Sequence, residues 1–322
     1  MSTTVHLGAQ FTLVEAAKLT HNGQMLPMAE ILTKSKPVLQ HIPFFEANDQ
    51  FSNKTLQRYT LPAGTWRKFN AGVAAETSQG KQITDTMGML DSYWEGDCDL
   101  VDSMPSPETF RQEQNAAFVE GFGQTMTTQL WYGNALVDPE KWTGLAPRMA
   151  SLNSKTVQGC GGSTTLTSIY LVQWGAGKVY GIFPRGSAAG LRHEPKPGKQ
   201  TKSDSNGLMW EVYRDHYTWK AGLVVENPRC IARVANMEPT GATNSFDEEV
   251  LISVKNWMKD QGAGAIGYCS TNMLSQIMIA INNKSNVFHP VANPFGPGEV
   301  PSLLGIPLYV DEMIVETETV IS

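Results

Sequence analysis

Residues 168–191 read SIYLVQWGAGKVYGIFPRGSAAGL, and the interpretation of this stretch decides the fold. Its centre, GAGK at 175–178, resembles the end of a phosphate-binding loop. Such a loop needs a glycine at position 172 and a serine or threonine after the lysine. Val172 and Val179 stand at these positions, and the run KVYGIF follows where a helix would be required. The pattern therefore predicts a tight hairpin turn between two strands and not a nucleotide site.

The residues around this stretch are also typical of strands. Residues 163–236 contain four runs rich in β-branched and aromatic residues, and Asn227-Pro228 is a turn signal inside the last run. Between the second and third runs lies LRHEPKPGKQTKSDSNG at 191–207, which we interpret as a polar loop. Four cations make it basic: Arg192, Lys196, Lys199 and Lys202. Such a loop could contact DNA or an acidic neighbour, and a mobile solvated loop is the alternative.

The strongest helix signal covers residues 106–132. Ser106 is a good N-cap, Pro107 suits the first helical position and Glu108 complements the helix dipole. Multiples of a four-residue spacing place five apolar side chains on one face: Phe110, Phe118, Phe122, Met126 and Leu130. Gly121 and Gly123 each weaken the helix by roughly 1 kcal/mol relative to alanine, and close backbone packing or a bend would explain them.

Two segments before this helix have no core of their own. Residues 1–50 combine helix-like stretches at 11–19 and 28–34 with an extended stretch at 36–49, which predicts an arm that lies on another surface. Residues 54–70, KTLQRYTLPAGTWRKFN, alternate polar and apolar side chains around Pro62 and Gly64, which predicts a hairpin. Because an isolated two-stranded hairpin is marginally stable in water, it needs a partner surface such as a neighbouring subunit.

The last third of the chain alternates helices and strands. Helices are predicted at 246–260 and 272–283, and strands at 265–270 and 304–322. The first helix carries one apolar face: Val250, Leu251, Val254, Trp257 and Met258. GAGAIG at 262–267 is formally a GxGxxG motif, but the dinucleotide-binding motif follows a strand and opens a helix. The order is reversed here, so a Rossmann-like enzyme using residues 262–267 remains only an alternative.

Composition narrows the classes of protein. The 322 residues suffice for one large domain or two ordinary ones, and only 17% are charged, against about a quarter in a typical domain. Few charges suit surfaces that are buried against other subunits. The net charge of −6 argues against a general nucleic-acid binder. We see no signal peptide and no membrane-spanning run.

Motifs for chemistry are missing. An acidic segment contains Glu95, Asp97, Asp99, Asp102 and Glu108. It does not match a calcium loop, because Val101 and Asp102 stand where a ligand and a glycine belong. A solvated acidic strand that leads into a helix is the favoured interpretation, and a weak surface metal site is the alternative. The six histidines, at 6, 21, 41, 193, 216 and 289, lack zinc-ligand spacing, and no nucleophile motif is present. Cysteines at 98, 160, 230 and 269 form no CxxC pair, which fits reduced thiols. We therefore predict no catalytic, cofactor-binding or metal-binding residues, no cofactor and no enzyme activity.

Four stretches closely resemble the major capsid proteins of short-tailed double-stranded DNA bacteriophages. They are WTGLAPRM at 142–149, TSIYLVQWGAGKVYGIFPRGSAAGL at 167–191, DHYTWKAGLVVENPRCIARVAN at 215–236 and LLGIPLYVDE at 303–312. The resemblance runs over most of the chain and is most specific between 142 and 236. It implies an α+β chain with the Hong Kong 97-type capsid fold, which has an N-terminal arm, an extended hairpin loop, a long spine helix, and peripheral and axial domains.

The resemblance also implies a domain map and a function. The map is an arm at 1–50, the extended hairpin and its return at 51–105, a peripheral domain at 106–236 with the spine helix at 106–132 and the β-rich region, an axial-like domain at 237–300, and a C-terminal strand at 301–322 that returns to the peripheral domain. The implied function is that of a major capsid protein, which self-assembles into hexamers and pentamers of an icosahedral shell around packaged double-stranded DNA. A tail or connector component of the virion is the structural alternative.

The implied partners are further copies of the chain, together with scaffolding, portal and decoration or cementing proteins. Packaged DNA would be met only through non-specific proximity, and no membrane is involved. Some relatives cross-link a lysine to an asparagine, but no motif in this sequence places such a pair. The implied location is the virion capsid, after assembly in the cytoplasm of a bacterial host.

Overall fold

The computed structural model describes residues 20–21, 24–25, 33–203, 206–241, 243–282, 291–292 and 299–322. The predicted helices at 11–19 and 28–34 lie outside these residues, apart from Thr33 and Lys34. The chain divides into two compact units. Unit 1 comprises Met1–Thr33, Met89–Met126 and Gly190–Lys220, and unit 2 comprises Lys34–Gly88, Thr127–Ala189 and Ala221–Ser322.

Helices and strands are both abundant, as an α+β chain requires. Within the described residues the helices are α1 Val38–His41, α2 Cys98–Asp102, α3 Pro107–Tyr132, α4 Leu145–Arg148, α5 Glu248–Trp257 and α6 Thr271–Asn282, with 3-10 turns at Pro228–Cys230 and Lys259–Gly262. The strands are β1 Thr20–His21, β2 Gln24–Met25, β3 Phe44–Glu46, β4 Ser52–Thr60, β5 Gln79–Asp97, β6 Val157–Gly159, β7 Thr167–Val172, β8 Val179–Phe183, β9 Leu191–Pro195, β10 Gln200–Ser203, β11 Met209–Val225, β12 Ile231–Met237, β13 Ile266–Cys269, β14 Val291–Ala292, β15 Glu299–Val300, β16 Ser302–Leu303 and β17 Ile306–Val310.

Two large sheets organise these strands. The first has seven strands, in the order β3-β8-β11-β5-β4, with β9 and β10 also paired to β11. The second has six strands, in the order β16-β17-β13-β7-β12-β6. Two short pairs, β1 with β2 and β14 with β15, form separate ribbons. The prediction of a β-rich region at 163–236 is confirmed, since β7 to β12 lie there.

The GAGK segment is a turn, but the prediction that it closes a hairpin is wrong. Both edges of β7 are occupied by β12 and β13, so β8 cannot pair with it and joins the other sheet. The turn is closed by the Gly175 N–H, which donates to the Val179 carbonyl at 2.9 Å. Gly175 and Gly177 have positive φ, at 136° and 73°, a region that glycine adopts without strain. The segment therefore connects the two sheets.

The polar segment at 191–207 is not a loop, as predicted, but two strands. β9 pairs with β11 from Leu191 opposite Trp219 to Pro195 opposite Asp215, and β10 pairs from Gln200 to Ser203. No residue of either strand is fully buried, so the sequence lacks the alternation of apolar and polar residues that would indicate a strand. Pro195 ends β9, and the next backbone N–H, that of Lys196, still donates to the Arg214 carbonyl of β11 at 3.0 Å.

Helix α3 confirms the prediction at 106–132. It begins at Pro107, and the Ser106 carbonyl accepts the first hydrogen bond, from the Phe110 N–H. The predicted apolar face is buried or half-buried, and Phe118 stacks on Tyr217 with ring centroids 4.8 Å apart. In unit 1 this face packs against Trp94 and other side chains of the sheet. Close backbone packing does not explain Gly121, because a Cβ there would meet no atom within 4 Å.

The core of unit 2 lies between the six-stranded sheet and helices α5 and α6. It contains Ile169, Leu171, Val234, Leu251, Val254, Met273, Ile277 and Leu308 among others. The sequence predicts that Trp257 lies on the buried face of α5, but it is exposed. The helix α5 ends at Trp257, and the next residue, Met258, is buried. The predicted strand at 304–322 is confirmed only over β17. After Val310 the chain turns, and the Met313 N–H donates to the Asp311 carboxylate at 3.0 Å.

The predicted hairpin at 54–70 is wrong in its turn and in its second strand. β4 pairs antiparallel with β5, from Ser52 opposite Thr86 to Thr60 opposite Gln79, and residues 61–78 between them contain no strand. Pro62 and Gly64 therefore lie inside a long connection. The 19-residue β5 supplies the partner and pairs with β4 along one edge and with β11 along the other, whereas residues 65–70 are exposed throughout. The predicted extended stretch at 36–49 is interrupted by α1 and continues as β3.

Candidate functional site

The clearest unsatisfied surface in the described chain is the end of the β4–β5 hairpin. We call residues 58–81 the hairpin tip. Every residue from 58 to 82 is exposed. Trp66 is fully exposed and Phe69 is 98% exposed, and Tyr59 and Leu61 are also largely open to solvent. Large aromatic side chains are normally buried, so this cluster is typical of a contact surface for another molecule.

The base of the same hairpin is held firmly in unit 2. Arg148 donates to Asp85 of β5 at 2.7 Å and to the Leu223 carbonyl at 3.1 Å, and Asp85 is buried. Gln57 of β4 donates to the backbone carbonyl of Glu226 at 2.8 Å. A buried charge-assisted hydrogen bond resists displacement. The tip is therefore presented on an anchored support.

The hairpin tip is also basic. It carries four cations, Arg58, Arg67, Lys68 and Lys81, and one carboxylate, Glu76, which gives a net charge of +3 in a chain of net charge −6. Glu76 accepts from the Gly64 N–H at 3.0 Å. Among the described residues none of the four cations forms an ion pair. The tip thus combines apolar surface with unneutralised positive charge.

The basic segment that the sequence indicated behaves differently, because carboxylates of the same chain neutralise it. Lys199 lies 3.2 Å from Asp102, and Lys202 pairs with Glu95. Arg192 and Lys196 both lie near Glu194, at 3.7 and 3.4 Å. The hydrogen bond from Lys199, followed by one from Tyr213, lowers the pKa of Asp102. Each of the four cations thus lies near a carboxylate of the same chain, although Arg192 and Lys196 share Glu194, so most of the charge that a contact with DNA or an acidic neighbour would use is neutralised internally.

The acidic segment at 95–108 is likewise occupied by structural contacts. Asp97 caps α2 by accepting from the Asp99 N–H at 2.9 Å, and Glu95 accepts from Arg214 at 2.8 Å. The part of the chain that the structure describes contains no group of three His, Cys, Asp or Glu side chains that could hold a metal ion. Nor does any described helix have the length and hydropathy needed to cross a membrane.

The GAGAIG segment does not form a dinucleotide site. The helix α5 and a 3-10 turn precede it, and β13 follows at Ile266–Cys269. No helix therefore starts at these glycines to direct N–H groups at a pyrophosphate. The cysteines are also unsuited to nucleophilic chemistry. Burial raises the pKa of Cys160 to about 11 and that of Cys269 to about 12, so both thiols stay protonated near neutral pH.

One arrangement of side chains superficially resembles a catalytic triad. His216 Nε2 lies 2.5 Å from Asp91 and 3.0 Å from the Thr218 hydroxyl. In a triad the nucleophile and the carboxylate contact opposite ring nitrogens. One nitrogen accepts the proton of the nucleophile, and the N–H of the other nitrogen donates to the carboxylate, which orients the ring. Here both hydrogen bonds involve Nε2, and the Glu194 carboxylate near Nδ1 lies 3.9 Å away, beyond hydrogen-bond distance, so this arrangement does not have the geometry of a triad. His6 and His289 and the side chain of His21 lie outside the described residues.

Two polar networks that the sequence did not reveal hold unit 2 together. In the first, the Glu318 carboxylate accepts from Arg233 at 2.9 Å, from Tyr132 at 2.8 Å and from Tyr170 at 2.9 Å, and Ser168 donates to it as well. Arg233 and Glu318 are each only 5% exposed. Burial and then the Glu318 charge raise the pKa of Tyr170, so its hydroxyl remains a donor. We call this set the Glu318 network.

The second network surrounds His41 of α1. The Tyr268 hydroxyl accepts from Trp174 Nε1 at 2.8 Å and lies 2.8 Å from His41 Nδ1. Its own proton is then available to Nδ1 of a neutral imidazole. Tyr309 packs edge-on with its centroid 4.5 Å from that of His41. Burial lowers the pKa of His41 from 6.5 to about 4.

This shift predicts acid sensitivity. The unfolded chain binds a proton at position 41 below about pH 6.5, and the folded chain only below about pH 4, so stability falls as the pH drops through that window. Between pH 7 and pH 4 the parent protein is expected to lose about 3 kcal/mol more stability than His41→Gln. Urea unfolding of the unassembled chains measures this. Burial raises the pKa of Asp311 to about 6, so protonation of Asp311 stabilises the fold as the pH drops. Because this contribution is the same in the parent and in His41→Gln, the prediction concerns the difference between their losses of stability. Equal losses in both chains would contradict the prediction.

Comparisons with known proteins add the family context. A family described as "Major capsid protein GP7" matches residues 20–322. No curated protein matches the sequence. Among solved structures, a chain of bacteriophage Epsilon15, determined by cryo-electron microscopy, is 24% identical, with 99% of both chains covered and a TM-score of 0.76. A chain of the bacteriophage JBD30 capsid is 12% identical, with 94% of this chain and 99% of that chain covered and a TM-score of 0.53.

Proposed function

Because this chain belongs to the GP7 family of major capsid proteins, we propose that its hairpin tip packs on a neighbouring copy to close the icosahedral shell. The family match covers most of the chain, so the resemblance to phage major capsid proteins is confirmed. The Hong Kong 97-type capsid fold is confirmed by the two phage structures. The chain is a component of the virion capsid.

One observation supports the role of the tip: two aromatic side chains, Trp66 and Phe69, are fully exposed on a hairpin with an anchored base. Burying both rings on a neighbour would remove roughly 300–500 Å² of surface from water and stabilise the contact by on the order of 10 kcal/mol before association costs. No comparable gain exists for the isolated chain, since residues 61–78 are exposed throughout. Assembly is therefore the process in which this surface is satisfied.

Ring formation follows from the same geometry. A tip that contacts a different surface on the next copy makes a heterologous contact, and repeated heterologous contacts close into rings. We propose hexamers and pentamers as these rings. Obligate contacts of this kind bury more than roughly 2,000 Å², which is more than one tip supplies, so further surfaces take part.

The domain map is part of the proposal. Residues 1–50 would be the arm, 51–105 the extended hairpin and its return, 106–236 the peripheral domain, 237–300 the axial-like domain and 301–322 the returning strand. Helix α3 would be the spine helix. The anchored base and the exposed tip support the assignment of 51–105 as the extended hairpin. The 26-residue length of α3 supports its assignment as the spine helix.

The remaining proposals concern partners, location and chemistry. Scaffolding, portal and decoration or cementing proteins are the expected partners beside the chain itself, with assembly in the cytoplasm of a bacterial host. DNA would be met without specific recognition, because most cations of the basic segment are neutralised internally. A purely structural role is supported by the reversed GAGAIG order and by the protonated, buried thiols.

The direct test is assembly of the intact chain. The purified protein, expressed with a scaffolding protein where one is required, is expected to form closed shells of uniform diameter in negative-stain images, with rings of five and six copies. Open tubes or a single ring would instead favour a tail or connector component. A monodisperse monomer that binds a nicotinamide dinucleotide saturably would overturn the proposal in favour of an enzyme.

A further inference from the structure

A second exposed surface lies directly after helix α3. We call residues 134–143 the Leu136 loop. Its two ends are pinned together, because the Gly144 N–H donates to the Gly133 carbonyl at 2.8 Å and Gln129 Nε2 donates to the Trp142 carbonyl at 2.5 Å. A Cβ on Gly144 would lie 2.6 Å from the Leu130 carbonyl oxygen, so only glycine allows this close approach.

The loop is ordered by its own hydrogen bonds. The Asn134 side chain accepts from the Leu136 N–H at 3.0 Å, and the Asn134 carbonyl accepts from the Asp138 N–H at 3.0 Å. The Lys141 N–H donates to the Asp138 carbonyl at 3.0 Å. These contacts hold the backbone of the loop in one conformation, which lowers the entropy lost when a partner binds.

Residues 136–141 of the loop are all exposed, whereas Trp142 at its end is buried. Leu136 is 94% exposed, more than any other aliphatic side chain in the described residues, and the adjacent Val137 is 73% exposed. Because both aliphatic side chains remain in water, they contribute no burial free energy to the stability of the isolated chain. Side-by-side exposure of this kind is typical of a contact surface.

The charge of the loop is opposite to that of the hairpin tip. Asp138 and Glu140 are exposed carboxylates next to the aliphatic pair, and Lys141 is the one cation of the loop region. Lys141 lies 2.9 Å from Asp138, but both side chains are about half exposed, so this pair contributes little and can be exchanged for another. The tip has the complementary pattern of exposed aromatic rings and unpaired cations.

We propose that the Leu136 loop of one copy is the surface that receives the hairpin tip of another copy. Trp66 and Phe69 cover Leu136 and Val137, while Arg67 and Lys68 approach Asp138 and Glu140. The proposal rests on the proposed function and names the acceptor of the same contact. Apolar burial supplies the affinity, and the charges set the register and the rate of encounter.

Charge exchange tests the contact. The variants are Arg67→Glu/Lys68→Glu in the tip, Asp138→Lys/Glu140→Lys in the loop, and the combination of all four substitutions. Each pair alone is expected to reduce the yield of shells at least about tenfold, and the combined variant is expected to restore most of it, because the attraction is re-formed with reversed signs. All substituted side chains are exposed, so circular dichroism and thermal unfolding of the unassembled chains should match the parent.

A matched control applies the same change of charge elsewhere in unit 2. Glu312→Lys/Glu316→Lys is expected to assemble normally. Equal loss of assembly in this control would mean that net charge alone decides the outcome, and the proposal would be overturned. Normal assembly of the loop pair beside failure of the tip pair would place the acceptor elsewhere and leave the proposed function standing. A duplex oligonucleotide tests the other possible partner of the tip. If it binds the parent, and if both variants that carry Arg67→Glu/Lys68→Glu lose this binding together with assembly, then the tip binds nucleic acid and the proposal fails.

Discussion

Replacing residues 61–78 with Asn-Gly is expected to abolish shell assembly while leaving the chain folded. Thr60 and Gln79 lie opposite each other in the β4–β5 ladder, so a two-residue turn can join them without shifting the register. Asn-Gly is the preferred sequence for such turns. The change removes Trp66 and Phe69, on which the affinity of the proposed contact depends.

The fold should persist because the deleted residues contribute no core. All of 61–78 is exposed, and the base is held by Asp85 with Arg148 and by Gln57 with the Glu226 carbonyl. We expect the thermal midpoint of the unassembled chain not to fall, since shortening the connection from 18 residues to two lowers the cost of loop closure by about 2 kcal/mol. Sedimentation and electron microscopy measure assembly, and circular dichroism measures folding.

Two substitution pairs separate loop length from surface chemistry. Trp66→Ser/Phe69→Ser keeps the full loop but removes the aromatic surface, and is also expected to prevent assembly. Leu208→Ser/Met209→Ser removes two exposed apolar side chains of unit 1 and should assemble as the parent does. Shells of normal diameter from the shortened chain would contradict the proposed role of the hairpin tip.

Glu318→Ala is expected to destabilise the unassembled protein by about 3–5 kcal/mol, because it leaves the buried Arg233 guanidinium without its partner. The same change removes the acceptor of three hydroxyl groups, on Ser168, Tyr170 and Tyr132. Denaturant unfolding measures the loss. A marginally stable chain would then be recovered largely unfolded or aggregated, since the loss is a large fraction of total stability.

Two nearby substitutions show whether the effect belongs to the network. Glu316→Ala removes a carboxylate two residues away that accepts only an exposed hydrogen bond from Asn272 at 2.8 Å, and should cost under about 1 kcal/mol. Glu318→Gln keeps the shape and an acceptor oxygen and should lie between the two. If Glu318→Ala unfolds at the same denaturant concentration as Glu316→Ala, the network does not stabilise the fold as argued.

Helix α3 shows what local sequence can predict. Ser106, Pro107 and Glu108 indicate its start through contacts that span at most four residues, and the spacing of Phe110 and Phe122 indicates its buried face. The GAGK turn was likewise identified as a turn, because glycines that adopt positive φ are needed whatever follows. These features depend on residues close in the chain, which is why the local sequence could predict them.

Strand pairing depended on information that the local sequence does not contain. The alternating pattern at 54–60 correctly indicates a strand, but the partner is β5, which starts 19 residues after Thr60. The sequence predicts β8 beside β7, but β8 joins the other sheet, because β12 and β13 occupy both edges of β7. The segment at 191–207 forms strands without a fully buried side chain, so periodicity could not reveal them.

The polar contacts were the least predictable part. Glu318 lies 150 residues from Ser168 and 85 from Arg233, and nothing in ETETV distinguishes it from the half-buried Glu316. The same holds for Arg148 with Asp85, which are 63 residues apart. Such pairs could be found from sequence only through coordinated variation among relatives.

The sequence by itself determined the family, the spine-like helix, the β-rich middle and the missing catalytic motifs, because these depend on composition and on neighbours within a few residues. Only the tertiary structure decided which strands pair, which charges are neutralised and which aromatic side chains remain in water. Those outcomes depend on free sheet edges and on oppositely charged groups brought together from distant parts of the chain. The exposed hairpin tip is therefore a property of the folded chain, although every residue in it was visible from the start.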